Sequence, residues 1–205
     1  MNKLKFGYFC SLDTVYQQIA QDYLVASLKK FNTLPLEIIT TNYGNWNRNV
    51  AEKPKAVLEL LSKIGRDECL LLLDADATIE KWPVLLEEIP QEYDIAFHML
   101  SWRSWYGYES DQYELLTGTM FFRNNDRVKK LCEEWYQIAS TTCEWEQKVL
   151  QKILSNHPVS VWELPVEYCF MKSRPGGLDP LIKLDPVILH YQLSRYYKKN
   201  VKGLA

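Results

Sequence analysis

The sequence predicts a single α/β domain. Strand-like and helix-like segments alternate from the N-terminus onward, the signature of a layered α/β architecture. Hydrophobic residues make up 47% of the chain, a globular composition. A length of 205 residues buries one sizeable core without dividing into two. No repeat, linker or low-complexity tract interrupts the pattern, so one domain over 1–205 is expected.

Lys5–Cys10 opens the alternation as a short apolar strand. Thr14-Val15-Tyr16-Gln17 has the form of a capping box, and Tyr16, Ala20, Tyr23, Leu24, Ser27, Leu28 and Phe31 then fall on one helical stripe. Leu36–Thr40, after Pro35, reads as a second strand. A polar loop, Thr41–Asn49, leads to a helix on which Ala56, Val57, Leu60, Leu61 and Ile64 share a face, ended by Gly65. Cys69–Leu73 is the central strand, because four consecutive leucines suit a strand buried on both faces. Pro83–Glu88 is a short helix and Tyr93–His98 another strand.

Ser101–Gln112 has neither period and is rich in Trp, Tyr and Ser, so it reads as a long loop of the kind that often binds or covers a ligand. Glu114–Phe122 returns to strand character around Gly118. Val128, Leu131, Cys132, Trp135, Ile138 and Ala139 have a 3.6-residue period, with a cap near Asn125 or Asp126. A helix over Glu144–Leu154 follows, then late strands over Ser160–Leu164 and Pro186–His190, separated by a loop containing Ser173-Arg174-Pro175-Gly176-Gly177. The tail Tyr191–Lys202 is basic and aromatic.

Composition narrows the function classes. A net charge of −2 offers no general basic field for nucleic acid. Five cysteines without a CxxC pair, most of them in apolar segments, suit buried reduced thiols and a cytoplasmic setting. The apolar stretch from Phe6 is too short for a signal peptide and nothing approaches a membrane span, which argues against an anchored lumenal protein. Aromatic residues reach 13%, and Trp102, Trp105, Tyr106 and Tyr108 cluster in the long loop. Such rings suit stacking on sugars or bases, and equally suit ordinary interfaces.

Leu70-Leu71-Leu72-Leu73-Asp74-Ala75-Asp76-Ala77-Thr78 carries the most chemistry. The strand delivers two carboxylates one residue apart at its end. At ~4 Å and an effective dielectric near 20 such charges repel by roughly 4 kcal/mol. A divalent cation between them relieves the repulsion, and oxygen ligands suit Mg²⁺ or Mn²⁺, which share their coordination with substrate phosphates. In open α/β sheets the carboxyl ends of strands are also where ligands bind. The bland alternative is an acidic surface turn.

The order of parts resembles the small GT-A-type glycosyltransferases, the nucleotide-diphospho-sugar transferases with an Asp-x-Asp motif. The resemblance rests on an N-terminal strand–helix half, LLLDADA in the middle, the Gly-centred strand Leu116–Phe122, the pair Glu146-Gln147 opening a helix, and a late strand ending at His190. It implies one GT-A-like (Rossmann-like) domain with a mixed, mostly parallel central sheet flanked by helices. It implies a metal-dependent transferase moving a sugar from a nucleoside diphosphate sugar, commonly a UDP-sugar, to an acceptor hydroxyl. Asp76 and His190 would bind Mn²⁺ or Mg²⁺, with Asp74 on the ribose or the metal. Glu146 would be the catalytic carboxylate nearest the sugar, and the Glu-Gln pair with His190 leans toward the retaining type.

The donor would further meet Phe9, Ser11, Asp13 and Tyr16 at the exit of the first strand, together with Lys53, Lys55, Gly118 and Gln147. Arg195 and Lys198 would reach the phosphates from the tail, although HYQLSRYYKK departs from the family's His-x-x-Gly-x-x-Lys-Pro form. Trp102, Trp105 and Thr117 would line the acceptor groove. Carbohydrate or glycoconjugate is the expected acceptor class, with lipid-linked sugar, protein side chain and modified DNA base also compatible. His190 as a core-edge histidine, Glu146 as a solvated first-turn residue and Gly118 as a β-bulge are the structural alternatives.

Two rival functions use the same residues. LLLDADAT also matches the opening motif of haloacid-dehalogenase-like phosphatases, where Asp74 would be the nucleophile and Asp76 the acid/base. That motif belongs on a first strand, whereas a strand–helix–strand–helix unit precedes it here, and the later acidic motif is missing. A catalytically inactive nucleotide-sugar-binding module is the non-enzymatic alternative.

Overall fold

The computed structural model describes residues 1–172 and 185–193, with Trp105 described for its backbone alone. The chain begins with β1 (Lys3–Ser11), longer at both ends than the sequence suggests, and crosses through a helical segment to β2 (Leu36–Thr40). That segment is α1 (Thr14–Ala20), a π-helical turn over Gln21–Val25, and α2 (Ala26–Lys29). The capping residue is Asp13 rather than Thr14: its carboxylate accepts from the Val15 N–H at 2.9 Å. Asp13 holds the extended conformation an N-cap needs, which places Thr14 already inside the helix.

After α3 (Trp46–Val50) and α4 (Lys53–Ser62) comes β3 (Glu68–Leu73), then the short β4 (Ala77–Ile79). Next are α5 (Val84–Glu88), β5 (Ile95–Phe97), β6 (Met99–Ser101), α6 (Trp102–Tyr106) and β7 (Tyr113–Leu115). The chain continues through β8 (Thr119–Arg123), α7 (Asp126–Thr142), α8 (Glu146–Ile153), β9 (Val161–Glu163), β10 (Phe170–Met171) and β11 (Ile188–His190).

Six strands form the central sheet in the order β2-β1-β3-β8-β5-β9. β8 alone runs antiparallel to its neighbours; the β1–β2, β1–β3 and β5–β9 pairings are parallel. The leucine run is apolar on both faces because both are covered. Leu70 and Leu72 pack with Leu60, Phe122 and Trp135, whereas Leu71 and Leu73 pack with Leu24, Ala20 and Phe121. At Gly7 a Cβ would come within 2.9 Å of Leu60 and Leu70 side-chain atoms, so α4 lies close against the sheet only because a glycine is there.

Three departures from the sequence reading bear on function. The segment around Gly118 is two strands rather than one, broken at Leu116–Gly118 where the chain turns into the site. The loop Ser101–Gln112 contains the single-turn α6 and is held by the β6–β7 ladder. β4, invisible in the sequence because it is three residues long, joins β11 and β10 in a small second sheet beside the carboxylates. Ser27, expected on an apolar stripe, serves this sheet: its hydroxyl accepts from the Ile79 N–H at 3.0 Å and donates to the Leu24 carbonyl at 2.8 Å. All five cysteines are free thiols. Among the described residues no helix is long and apolar enough to cross a membrane.

Candidate active site

Backbone pairing assembles the acidic centre. Leu73, the last residue of β3, pairs with Thr119, and the Asp74 N–H donates to the Gly118 carbonyl at 2.9 Å. The chain turns, with the Ala77 N–H donating to the Asp74 carbonyl at 3.0 Å, and enters β4. β4 pairs antiparallel with β11, which sets His190 opposite Ala77 and therefore beside Asp76. The Leu193 N–H donates to Asp76 Oδ2 at 2.6 Å, fixing that carboxylate from the far side. One ligand atom from each of Asp74, Asp76 and His190 lies within 4.8 Å of the other two.

The donor set fits a divalent cation. Burial pushes the His190 imidazolium down to about 4, against the pull of Asp74, so the ring is neutral and able to ligate at pH 7. Burial, and after it the Asp74 carboxylate, push Asp76 up to about 6, against the pull of the Leu193 N–H and of Lys53. Gly118 keeps the space open. A Cβ there would stand 3.0 Å from His190 Cε1 and 3.2 Å from both His190 Nδ1 and Asp74 Oδ2. Gly118 is thus a spacer at the centre rather than a β-bulge.

Beside this centre lies a buried cation. Lys53, at the start of α4, donates from Nζ to Asp74 Oδ1 at 3.0 Å and to the Thr117 carbonyl and hydroxyl at 3.1 Å. Glu146 Oε1 is 3.2 Å from the same Nζ and accepts from the Thr117 hydroxyl at 2.8 Å. Burial alone would lower the Lys53 ammonium, but the Asp74 and Glu146 carboxylates outweigh it and hold the group above the ordinary lysine value. Glu146 is buried, not a solvated first-turn residue, and among the described residues its Oε2 has no hydrogen-bond partner. The α8 start that carries it is tied to α7 by Trp135, whose indole N–H donates to the Glu146 carbonyl at 2.8 Å. Gln147 accepts from the Thr117 N–H at 3.2 Å and donates to Glu114 at 2.6 Å, holding the Thr117–Gly118 turn.

These groups face a cavity of about 460 Å³. Phe9, Ser11, Asp13 and Tyr16 line one part of it, as the sequence suggests, with Lys53, Thr117, Gly118 and Gln147 on the same wall system. Lys55 is not brought there. Two residues along a helix is a turn of about 200°, so it points away and meets Glu52 at 3.6 Å and the Tyr136 ring. Trp102 does not line the cavity either; its ring packs edge-on against Tyr106 and Tyr108, and Tyr106 reaches the wall in its place. The Trp105 side chain, Arg195, Lys198 and the 173–177 loop lie outside the described residues.

Sequence reasoning missed several lining groups. Trp46 and Trp145, with ring centroids 5.8 Å apart, both border the cavity, and so do Asn42, Asn45, Asn47 and Asn49. The amide density of Thr41–Asn49 was a visible signal. The convergence of Trp46 with Trp145, a hundred residues apart, left none.

A family model of nucleotide-diphospho-sugar transferases matches residues 4–203. A search of curated proteins finds no match. Among solved structures, a glycosyltransferase involved in glycosylation of the major capsid of PBCV-1 superposes with a TM-score of 0.63 at 11% identity, covering 92% of this chain and 93% of that one. The galactosyltransferase LgtC, solved with donor and acceptor sugar analogs, gives 0.53 at 13% identity over 92% and 87%. The apo-form glycosyltransferase GlyE of Streptococcus pneumoniae TIGR4 gives 0.52 at 16% identity over 93% and 55%. At such identities the likeness is one of fold.

Proposed function

The chain belongs to the nucleotide-diphospho-sugar transferases, and on that premise we propose that it transfers a sugar from a UDP-sugar to an acceptor hydroxyl with Mn²⁺ or Mg²⁺ held by Asp74, Asp76 and His190. The observation that carries the proposal is the convergence of these three side chains at the wall of the 460 Å³ cavity, with Gly118 sparing the room between them. When bound, such a cation supplies Lewis-acid stabilisation of the charge that builds on a departing diphosphate.

The remaining roles fall to this chain's own residues. Phe9, Ser11, Asp13 and Tyr16 take the nucleoside, and Lys53 and Gln147 hold the wall against which the sugar lies. Glu146 Oε2, buried and unpaired among the described residues, accepts a hydroxyl of the transferred sugar; an orphaned carboxylate oxygen is costly until a donor reaches it. Lys53 and the Thr117 hydroxyl both engage Glu146 on its other oxygen. An inverting displacement needs a base beside the acceptor hydroxyl, so this pairing supports the retaining course.

The part of the cavity bordered by Tyr106, Glu114, Thr117 and Trp145 suits a carbohydrate or glycoconjugate acceptor, because ring faces flanked by hydrogen-bonding groups match a sugar. The free thiols support a reducing, cytoplasmic setting. The family match sets the phosphatase reading aside.

The test is thermal unfolding with Mn²⁺ and each common nucleoside diphosphate, beside an Asp76→Ala variant. A ligand at 100 times its dissociation constant stabilises by about 2.7 kcal/mol. A metal-dependent shift with UDP that the variant loses is expected. No shift with any nucleotide would refute the donor site and leave an inactive fold.

A further inference from the structure

Trp46 opens α3, and Trp145 directly precedes Glu146 at the start of α8. Both are half-buried at the cavity wall, their ring centroids 5.8 Å apart and their planes inclined at 55°. The Trp145 backbone is fixed where it stands, because its carbonyl accepts from the Lys148 and Val149 N–H groups at 3.0 and 3.2 Å. Two indoles thus make an apolar corner beside Glu146. Such a corner offers nothing to a diphosphate, which calls for charge and hydrogen bonds. It suits the C–H face of a sugar ring, provided that polar groups meet the hydroxyls at the ring's edge.

The loop that carries Trp46 supplies those groups. Its four asparagines divide by what they touch. Asn42 Oδ1 accepts from the Gly44 N–H at 2.9 Å and from Asn49 Nδ2 at 3.1 Å, and Asn49 Oδ1 accepts from the Tyr43 N–H at 2.8 Å. Asn42 Nδ2 donates to Asp13 at 3.3 Å. These two amides hold the loop to itself and to the exit of β1. Asn45 engages only its oxygen, which accepts from the Arg48 N–H at 3.1 Å, and Asn47 makes no side-chain hydrogen bond among the described residues. Asn45 Nδ2 and the Asn47 carboxamide are therefore open, and both residues line the cavity. A carboxamide both donates and accepts, as a sugar hydroxyl does.

We propose that Trp46 and Trp145, with Asn45 and Asn47, are the acceptor subsite, and that they take a pyranose ring: its C–H face lies in the indole corner and its hydroxyls bind the two open amides. The inference deepens the acceptor reading above and rests on it. It adds the Trp46 loop to the acceptor wall and names the part of the acceptor that is held there.

The experiment titrates the methyl α- and β-glycosides of glucose, galactose and N-acetylglucosamine into protein loaded with Mn²⁺ and UDP, read by saturation-transfer NMR. The proteins compared are the wild type, Trp46→Ala, Trp46→Phe and Asn47→Ala, and calorimetry gives the UDP affinity of each. At least one glycoside is expected to bind the wild type. Trp46→Ala should weaken that glycoside about tenfold, and Trp46→Phe should recover part of the loss, as the removal and return of a ring contact predict. Asn47→Ala should change the ranking of the glucoside against the galactoside, which a merely structural role of the loop would not do. UDP affinity is expected to stay level throughout. Glycoside affinity unchanged in Trp46→Ala overturns the proposal. So does UDP affinity that falls in that variant, which would give the corner to the nucleoside. A wild type that binds UDP and none of the glycosides also overturns it, with the donor reading left standing. If the wild type does not bind Mn²⁺ with UDP, the donor reading fails, and titration of the glycosides alone still decides the corner. If Trp46→Ala does not fold, Trp46→Phe and Asn47→Ala carry the decision.

Discussion

Replacing Lys53 by Met tests the buried charge arrangement beside the acidic centre. Lys53 Nζ stands 3.0 Å from Asp74 Oδ1 and 3.2 Å from Glu146 Oε1. At an effective dielectric near 20 each attraction is worth roughly 5 kcal/mol before desolvation. They do not count equally: the Asp74 side chain is 41% exposed and is screened by water, whereas that of Glu146 is 2% exposed. The variant therefore leaves one carboxylate buried without its cation, and removing one partner of such a pair costs about 3–5 kcal/mol; the screening of Asp74 sets the expectation near ~3. Lys53 has a raised folded value, so its contribution is fully present below the ordinary lysine range, including pH 7, and is lost only as pH climbs through the folded value. Urea unfolding followed by tryptophan fluorescence measures the cost: with a slope of ~2 kcal/mol/M the midpoint should drop by about 1.5 M. Adding Glu146→Gln should recover a good part of the loss. A cost below ~1 kcal/mol at pH 7, or a cost unchanged by neutralising Glu146, refutes the reasoning.

Three further outcomes follow from the same geometry. Gly118→Ala places a methyl 3.0 Å from His190 Cε1 and 3.2 Å from His190 Nδ1 and Asp74 Oδ2; calorimetry should find Mn²⁺–UDP affinity reduced by about tenfold or more, the equivalent of the lower end of an overpacking cost of about 1–3 kcal/mol. Asp76, pushed up to about 6, must be ionised to hold a cation, so Mn²⁺ affinity should be level above pH 6 and fall by about tenfold per unit below it; affinity constant from pH 7.5 to 5 would exclude Asp76 as a ligand. Trp135→Phe keeps the buried ring but strips the hydrogen bond to the Glu146 carbonyl, and should cost about 1–3 kcal/mol in urea unfolding, together with turnover of the donor.

What the chain determines by itself is local and periodic. The leucine run read as a doubly covered strand, because a short apolar run bounded by polar residues suits one, and its end at Asp74-Ala75-Asp76 announced clustered charge. The period of Val128–Ala139 fixed α7, and Asn125 its start. Phe9, Ser11, Asp13 and Tyr16 were legible because they flank a strand exit, where ligands bind in such sheets. Lys53 and Lys55 were not separable on composition; only the rotation of α4 turns one into the site and the other into solvent. Likewise, three-residue β4 has no sequence period, yet its ladder with β11 is what brings His190 to Asp76 across more than a hundred residues. The same holds for Trp46 beside Trp145, and for Thr119 beneath His190. Hydrophobic pattern and charge are properties of neighbours in the chain and can be read there. The identity of the group that meets a given side chain depends on strand register and helix rotation, which are set by packing over the whole domain.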